Sequence, residues 1–174
     1  MLNQHQRAKL LEGLHPGRVS QRKGGGGKML SYVEAWDVRA TLIRIFGFGG
    51  FSADVIQVIP SEKGIIVGLR LTVYGIGPDG QDATYTEYGA DSSTSKDLDD
   101  LVKTAASEAL KRAALNLGDQ MGLSLYNNGS TRPVIVRTLD QPQPTAEEEK
   151  TDKVAEMRKK ITDLTTPEKD QNDD

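Results

Sequence analysis

From Gly64 the chain alternates. Ile65, Val67, Leu69, Leu71 and Val73 fall on one side, and Ile66, Gly68, Arg70, Thr72 and Tyr74 on the other. A period of two sustained this long predicts a strand with one buried face. Gly77-Pro78-Asp79-Gly80 follows, with a proline that presets φ and a glycine that tolerates positive φ, and the Thr- and Tyr-rich residues 83–88 then return as a second strand of a hairpin. Residues 51–59 predict a third strand, joined to the hairpin by a turn over residues 60–64. Elsewhere the period is helical. Ala8, Leu10, Leu11 and Leu14 predict a short helix over residues 3–13, stopped by Gly13, Pro16 and Gly17. Val33, Trp36, Ala40, Ile43 and Phe46 recur at spacings of 3 and 4 behind Ser31-Tyr32-Val33-Glu34, a capping-box pattern, and predict a second helix over residues 32–46. A third helix carries the stripe Leu98, Leu101, Val102, Ala105, Ala109, Leu110, Ala113 and Leu117. Thr94 or Ser95 is its expected cap, Asp97, Asp99 and Asp100 suit its dipole, and Gly118 ends it. Helix, glycine-rich loop, helix, three antiparallel strands and helix make an α+β domain, β-β-β-α at its centre, with one sheet covered on one face.

Residues 1–139 are expected to form that domain and residues 140–174 an acidic tail, mostly disordered. The tail opens Gln-Pro-Gln-Pro and has no aromatic residue, and its Val154, Met157, Ile161 and Leu164 can form a short amphipathic helix only against a partner. Composition then narrows the chemistry. The 174 residues include no Cys and two His, both near the N-terminus, which leaves no thiolate site and little for a histidine relay or a multi-histidine metal centre. No nucleophile–base pair or paired catalytic carboxylates stand out, so no enzyme and no cofactor is expected. A spanning helix needs about 20 consecutive apolar residues and no such run exists, so no membrane span is expected. The first residues lack the basic-then-apolar order of a secretory signal, and a cytoplasmic location is expected.

A formal net charge of −3 hides an uneven distribution: the tail holds 11 acids and 6 bases, and residues 1–139 hold 16 bases and 14 acids. Arg7, Lys9, Arg18, Arg22, Lys23 and Lys28 face only Glu12 in the first 28 residues. Arg22-Lys23-Gly24-Gly25-Gly26-Gly27-Lys28 sets four glycines, whose amides can approach an anion, between cations. It is not a nucleotide-binding P-loop: Arg22 stands at the first glycine position, Met29 follows Lys28, and no strand is expected before it. A flexible linker is the plain alternative to phosphate contact. On the third helix Lys111 is expected to point away from the apolar stripe and Arg112 to sit on its margin, where either Glu108 or a phosphate can partner it. Arg70, Lys96 and Lys103 can extend a positive track or be solvated surface charges. Tyr74, Tyr85 and Tyr88 can stack bases or simply favour the strand. Asp97, Asp99 and Asp100 can ligate a divalent ion, although capping accounts for them without one.

The stretch Val19–Trp36, with its Arg22, glycine cluster and Tyr32-Val33-Glu34, resembles the signature of the Rad52 family of single-strand annealing proteins. Ile45-Phe46-Gly47-Phe48-Gly49-Gly50-Phe51-Ser52, Glu87-Tyr88-Gly89 and Glu108-Ala109-Leu110-Lys111-Arg112-Ala113 resemble three further blocks of that family, in the same order, so the likeness covers about residues 10–126. The resemblance implies a closed homo-oligomeric ring that binds single-stranded DNA in an outer groove and anneals complementary strands without ATP, in homologous recombination and DNA repair. It places Arg22, Lys111, Arg112 and Lys103 on the DNA; Lys23, Lys28, Arg70 and Lys96 are further DNA-binding candidates from the pattern of charges, and Lys96 is also the candidate for the family's second, outer DNA site. It also makes a single-strand-binding protein or a recombination exonuclease the partner classes to expect. The compact length looks like a phage or bacterial annealing recombinase. A further family arginine is Leu115 here, which thins the phosphate track. A coat that protects single-stranded ends without annealing them is the alternative. Side-by-side subunits are expected to cover Phe46, Phe48 and Phe51.

Overall fold

The computed structural model describes residues 2–94 and 96–135. The expected tail, including the Val154 to Leu164 stripe, lies outside the described residues.

Helix α1 (Gln4–Leu11) opens the fold. A true capping box starts it: Asn3 Oδ1 accepts from the Gln6 amide at 2.8 Å, and Gln6 Oε1 accepts from the Asn3 amide at 3.0 Å. The glycine segment is not a linker between helices. It is the tip of a two-stranded hairpin, β1 (Val19–Lys23) paired antiparallel with β2 (Met29–Val33), so a strand does precede the loop. The Gly24 amide donates to the Lys28 carbonyl at 2.7 Å, and Gly26 and Gly27, at φ 69° and 77°, make the reversal that residues with a Cβ resist.

Pairing in β2 removes the capping box expected at Ser31. Ser31 lies opposite Gln21 in the ladder, and helix α2 runs Ala35–Phe46 behind Glu34, which makes no side-chain cap. The buried side of α2 is Val38, Leu42 and Ile45 with Asp37 and Thr41, while Trp36 is turned outward and 71% exposed. The expected stripe through Trp36 and Ala40 is thus off by part of a turn, because the hairpin sets where α2 begins.

The three-stranded sheet is as expected: β3 (Phe51–Ser61), β4 (Gly64–Val73) and β5 (Ala83–Asp91), antiparallel in the order β3-β4-β5. Ile65, Val67, Leu69, Leu71 and Val73 are all buried, while Arg70 is exposed on the opposite face. A bulge at Ile56 shifts the register between Val55 and Gln57, and the outer half of β3 leaves Val55, Ile56, Val58 and Ile59 exposed. Helix α3 (Leu98–Leu115) lies across β4 and β5. Its cap is Asp97, not Thr94 or Ser95: Asp97 Oδ1 accepts from the Asp100 amide at 3.0 Å. Gly89 lets the helix approach closely, since a Cβ there would stand 2.1 Å from the Ala105 carbonyl oxygen. Among the described residues no helix is long and apolar enough to cross a membrane.

Two 3-10 turns, Asp119–Met121 and Leu123–Tyr126, complete the core with Met121 and Leu125, which join Leu42, Leu69, Leu71 and Leu110. Arg18 ties the layers together. Its guanidinium donates to Asp37 Oδ2 at 2.8 Å, Thr41 Oγ1 at 2.8 Å and Gln120 Oε1 at 2.7 Å, and Gln120 in turn donates to the Gly13 carbonyl at 2.8 Å. Arg18 therefore leaves the N-terminal cluster of cations offered to an anion. Phe46 and Phe51 are partly buried against the core, and Phe48 is 92% exposed.

Candidate nucleic-acid interface

The hairpin and α3 face one another across a cleft. Residues of a two-stranded ribbon alternate between its faces, so Arg22, Leu30 and Tyr32 share one face and Lys23 falls on the other. From α3 come residues one turn apart: Lys103, Ser107, Lys111 and Leu115 on one line, Thr104, Glu108 and Arg112 on the next.

Two connected recesses result. One, about 340 Å³, is lined by Arg22, Tyr32, Glu108, Lys111 and Arg112 over an apolar floor of Leu30, Val33, Leu115, Met121 and Leu125, with Tyr126 at its rim. The other, about 400 Å³ and more open, shares Arg22, Tyr32, Glu108 and Lys111 and continues past Trp36, Lys103, Thr104 and Ser107. Tyr32 is the hinge between them. Arg22 and Lys111 stand 5.5 and 5.1 Å from its ring centre, within cation–π range. Its hydroxyl donates to Glu34 Oε1 at 2.9 Å, and this bond to a carboxylate is the main cause holding the phenol above its ordinary pKa.

The side chains of α3 are oriented opposite to expectation. Lys111 is the half-buried one, and Glu108 pairs with it at 2.6 Å; Arg112 is exposed and makes no ion pair among the described residues. An i,i+3 pairing wins here because the hairpin covers the Lys111 side of the helix. Lys103 pairs with Asp99, whose hydrogen bond raises the lysine pKa, and the ammonium remains largely exposed. Lys96 is held by Asp91 at 2.6 Å and donates to Thr104 Oγ1 at 3.1 Å, so it touches the open recess only through Thr104. Lys23 and Lys28 are exposed on the hairpin and line neither recess. Arg70, on the far face of the sheet, is not brought to the cleft.

Tyr74 and Tyr88 are exposed on the sheet, Tyr88 donating to Gln57 Oε1 at 3.3 Å, and Tyr85 packs against the core. Asp97 and Asp99 are engaged in capping and pairing, and no group of three or more His, Cys, Asp or Glu side chains placed to hold a metal ion occurs among the described residues. Sequence reasoning passed over Trp36, Glu34, Thr104, Ser107 and Tyr126 as groove residues. The i,i+4 succession of Lys103, Ser107 and Lys111 is the signal that marks this face of α3.

A family model described as "Rad52/22 family double-strand break repair protein" matches residues 3–143. The chain belongs to the Rad52/22 family. It is 33% identical over 123 residues to the DNA repair and recombination protein rti1 of Schizosaccharomyces pombe, covering 66% of this chain and 33% of that protein. It is 30% identical over 131 residues to rad22 of the same yeast (70% and 28% covered) and 30% identical over 128 residues to RAD52 of Eremothecium gossypii (69% and 29% covered), both also named DNA repair and recombination proteins. The chain spans about a third of the length of the curated relatives it matches. These Rad52/22 relatives are fungal, so the phage or bacterial source expected from the short chain has no counterpart among them.

Proposed function

We propose that this Rad52/22 chain binds single-stranded DNA along the cleft between the β1–β2 hairpin and α3 and promotes annealing of complementary strands without ATP, in recombination and repair. The observation that carries the reading is the convergence of Arg22 with Lys111 and Arg112, about 90 residues away in sequence, on one recess. Guanidinium and ammonium groups suit phosphate, and the uncrowded Gly25–Gly27 backbone with Lys23 and Lys28 extends contact to the hairpin tip. Lys103 lengthens the track at the open end, Lys96 lies behind it, and Arg70 belongs to no continuous path with them. Phosphates held in the cleft leave bases free to meet a second strand, and pairing itself supplies the energy. No bond is made or broken, so the protein supplies order and not chemistry.

A continuous track needs copies side by side, as in a closed ring. The free edge of β3 and the exposed Phe48, Val55 and Val58 favour lateral association. Residues 1–139 form the annealing unit in this reading and residues 140–174 an acidic appendage. A single-strand-binding protein or a recombination exonuclease are the partner classes that fit such a role.

The test is ATP-free annealing of two complementary fluorescent oligonucleotides by the wild type and by Lys111→Ala/Arg112→Ala, with particle mass measured alongside. Acceleration by a multi-subunit particle, lost in the variant, supports the reading, and each lost phosphate contact flattens the salt dependence of binding by about one unit of slope. Tight binding without acceleration replaces it with the end-protecting coat, and a strictly monomeric particle removes the ring.

A further inference from the structure

Trp36 is the one tryptophan of the chain and the second residue of α2, 71% exposed although indole is among the side chains that gain most from burial. The core side of α2 is complete without it. It stands instead on the wall of the open recess, with Lys103, Thr104, Ser107 and Lys111 opposite and Arg22 and Tyr32 beside it; the two carboxylates that share this lining are already engaged, Glu34 by the Tyr32 hydroxyl and Glu108 by Lys111. An apolar protein partner suits such surroundings poorly, since ammonium groups and hydroxyls border the ring. A polyanion whose repeating unit carries a flat aromatic group suits them well: cations take the phosphates and the indole takes the face of a base, whose pairing edge stays free for a second strand. We propose that Trp36 is a base-stacking platform of the groove, discriminating nucleobase from bare backbone. This deepens the reading above and rests on it.

The 174-residue chain is titrated, by its intrinsic fluorescence, with an oligothymidylate and with an abasic oligonucleotide of equal length. Trp36→Ala and Trp36→Phe are compared with wild type by an independent binding assay. Thymidylate is expected to quench the indole and the abasic strand to leave it nearly unchanged. Trp36→Ala is expected to bind thymidylate about tenfold more weakly, with the abasic strand and the salt slope unaffected, and Trp36→Phe to restore most of the loss. Equal quenching by both strands, unchanged thymidylate affinity in Trp36→Ala, or a change in particle mass that accounts for lost affinity overturns the stacking role. If wild type binds neither strand, the single-strand-binding reading itself falls. Binding of both strands with no effect of Trp36→Ala removes the stacking role alone.

Discussion

Glu108 and Lys111, one turn apart on α3, form a 2.6 Å ion pair inside the cleft that Lys111 is proposed to offer to DNA. A phosphate arriving there displaces a carboxylate that already satisfies the ammonium and that repels the incoming charge. Glu108→Gln is therefore expected to tighten single-strand binding about two- to fivefold, the scale of a partly exposed pair. Fluorescence anisotropy at fixed salt checks it, and weaker binding would mean that Glu108 positions Lys111 more than it competes with DNA.

Gly89 sets how closely α3 approaches β5. A methyl group there meets the Ala105 carbonyl oxygen and, at 2.5 Å, the Ala109 amide nitrogen, both backbone atoms inside a helix that cannot yield locally. Gly89→Ala is expected to destabilise the fold by about 3 kcal/mol, at the upper end of overpacking costs, as measured by urea unfolding.

Arg18 and Asp37 are both largely buried, and Arg18 also anchors Thr41 and Gln120. Removing Arg18 takes away the close partner of the Asp37 carboxylate and leaves it, among the described residues, only the exposed Arg44 at 3.5 Å, so Arg18→Ala is expected to cost about 3 kcal/mol in denaturant unfolding. The double variant Arg18→Met/Asp37→Leu should recover part of that loss, because no buried unpaired charge then remains and Arg44, which also loses Asp37, is exposed.

The hydrogen bond from Lys96 holds Asp91 below the usual aspartate pKa, with further help from the Ser93 amide. A carboxylate with a depressed folded-state pKa adds stability that is fully present above its unfolded value, about 3.9, and is lost as pH falls through the folded value. Thermal unfolding of Asp91→Asn from about pH 2 to 7 is expected to show lower stability at neutral pH and a shallower decline on the acid side. An unchanged acid limb would show that other carboxylates govern it.

The elements with unambiguous periods were legible in the chain itself. Two-residue alternation in β4 and the proline–glycine turn before β5 place the hairpin without reference to anything distant, and α3 follows from its long apolar stripe. The cations Arg22, Lys103, Lys111 and Arg112 were legible as candidates because an anion site requires their residue types, whatever their orientation.

Orientation belonged to the tertiary structure. Strand pairing across the glycines turned Ser31 from a helix cap into a ladder residue, moved the start of α2 and rotated Trp36 out of the core. The hairpin laid over α3 half-buried Lys111, gave Glu108 to it and left Arg112 exposed; Arg18 left the anion-facing set because Asp37 and Gln120 converge on it from elsewhere in the chain. Local periodicity records which side chains prefer water. It carries no information about which of several equivalent polar neighbours a second element will cover, since that depends on contacts between residues about 80–100 positions apart.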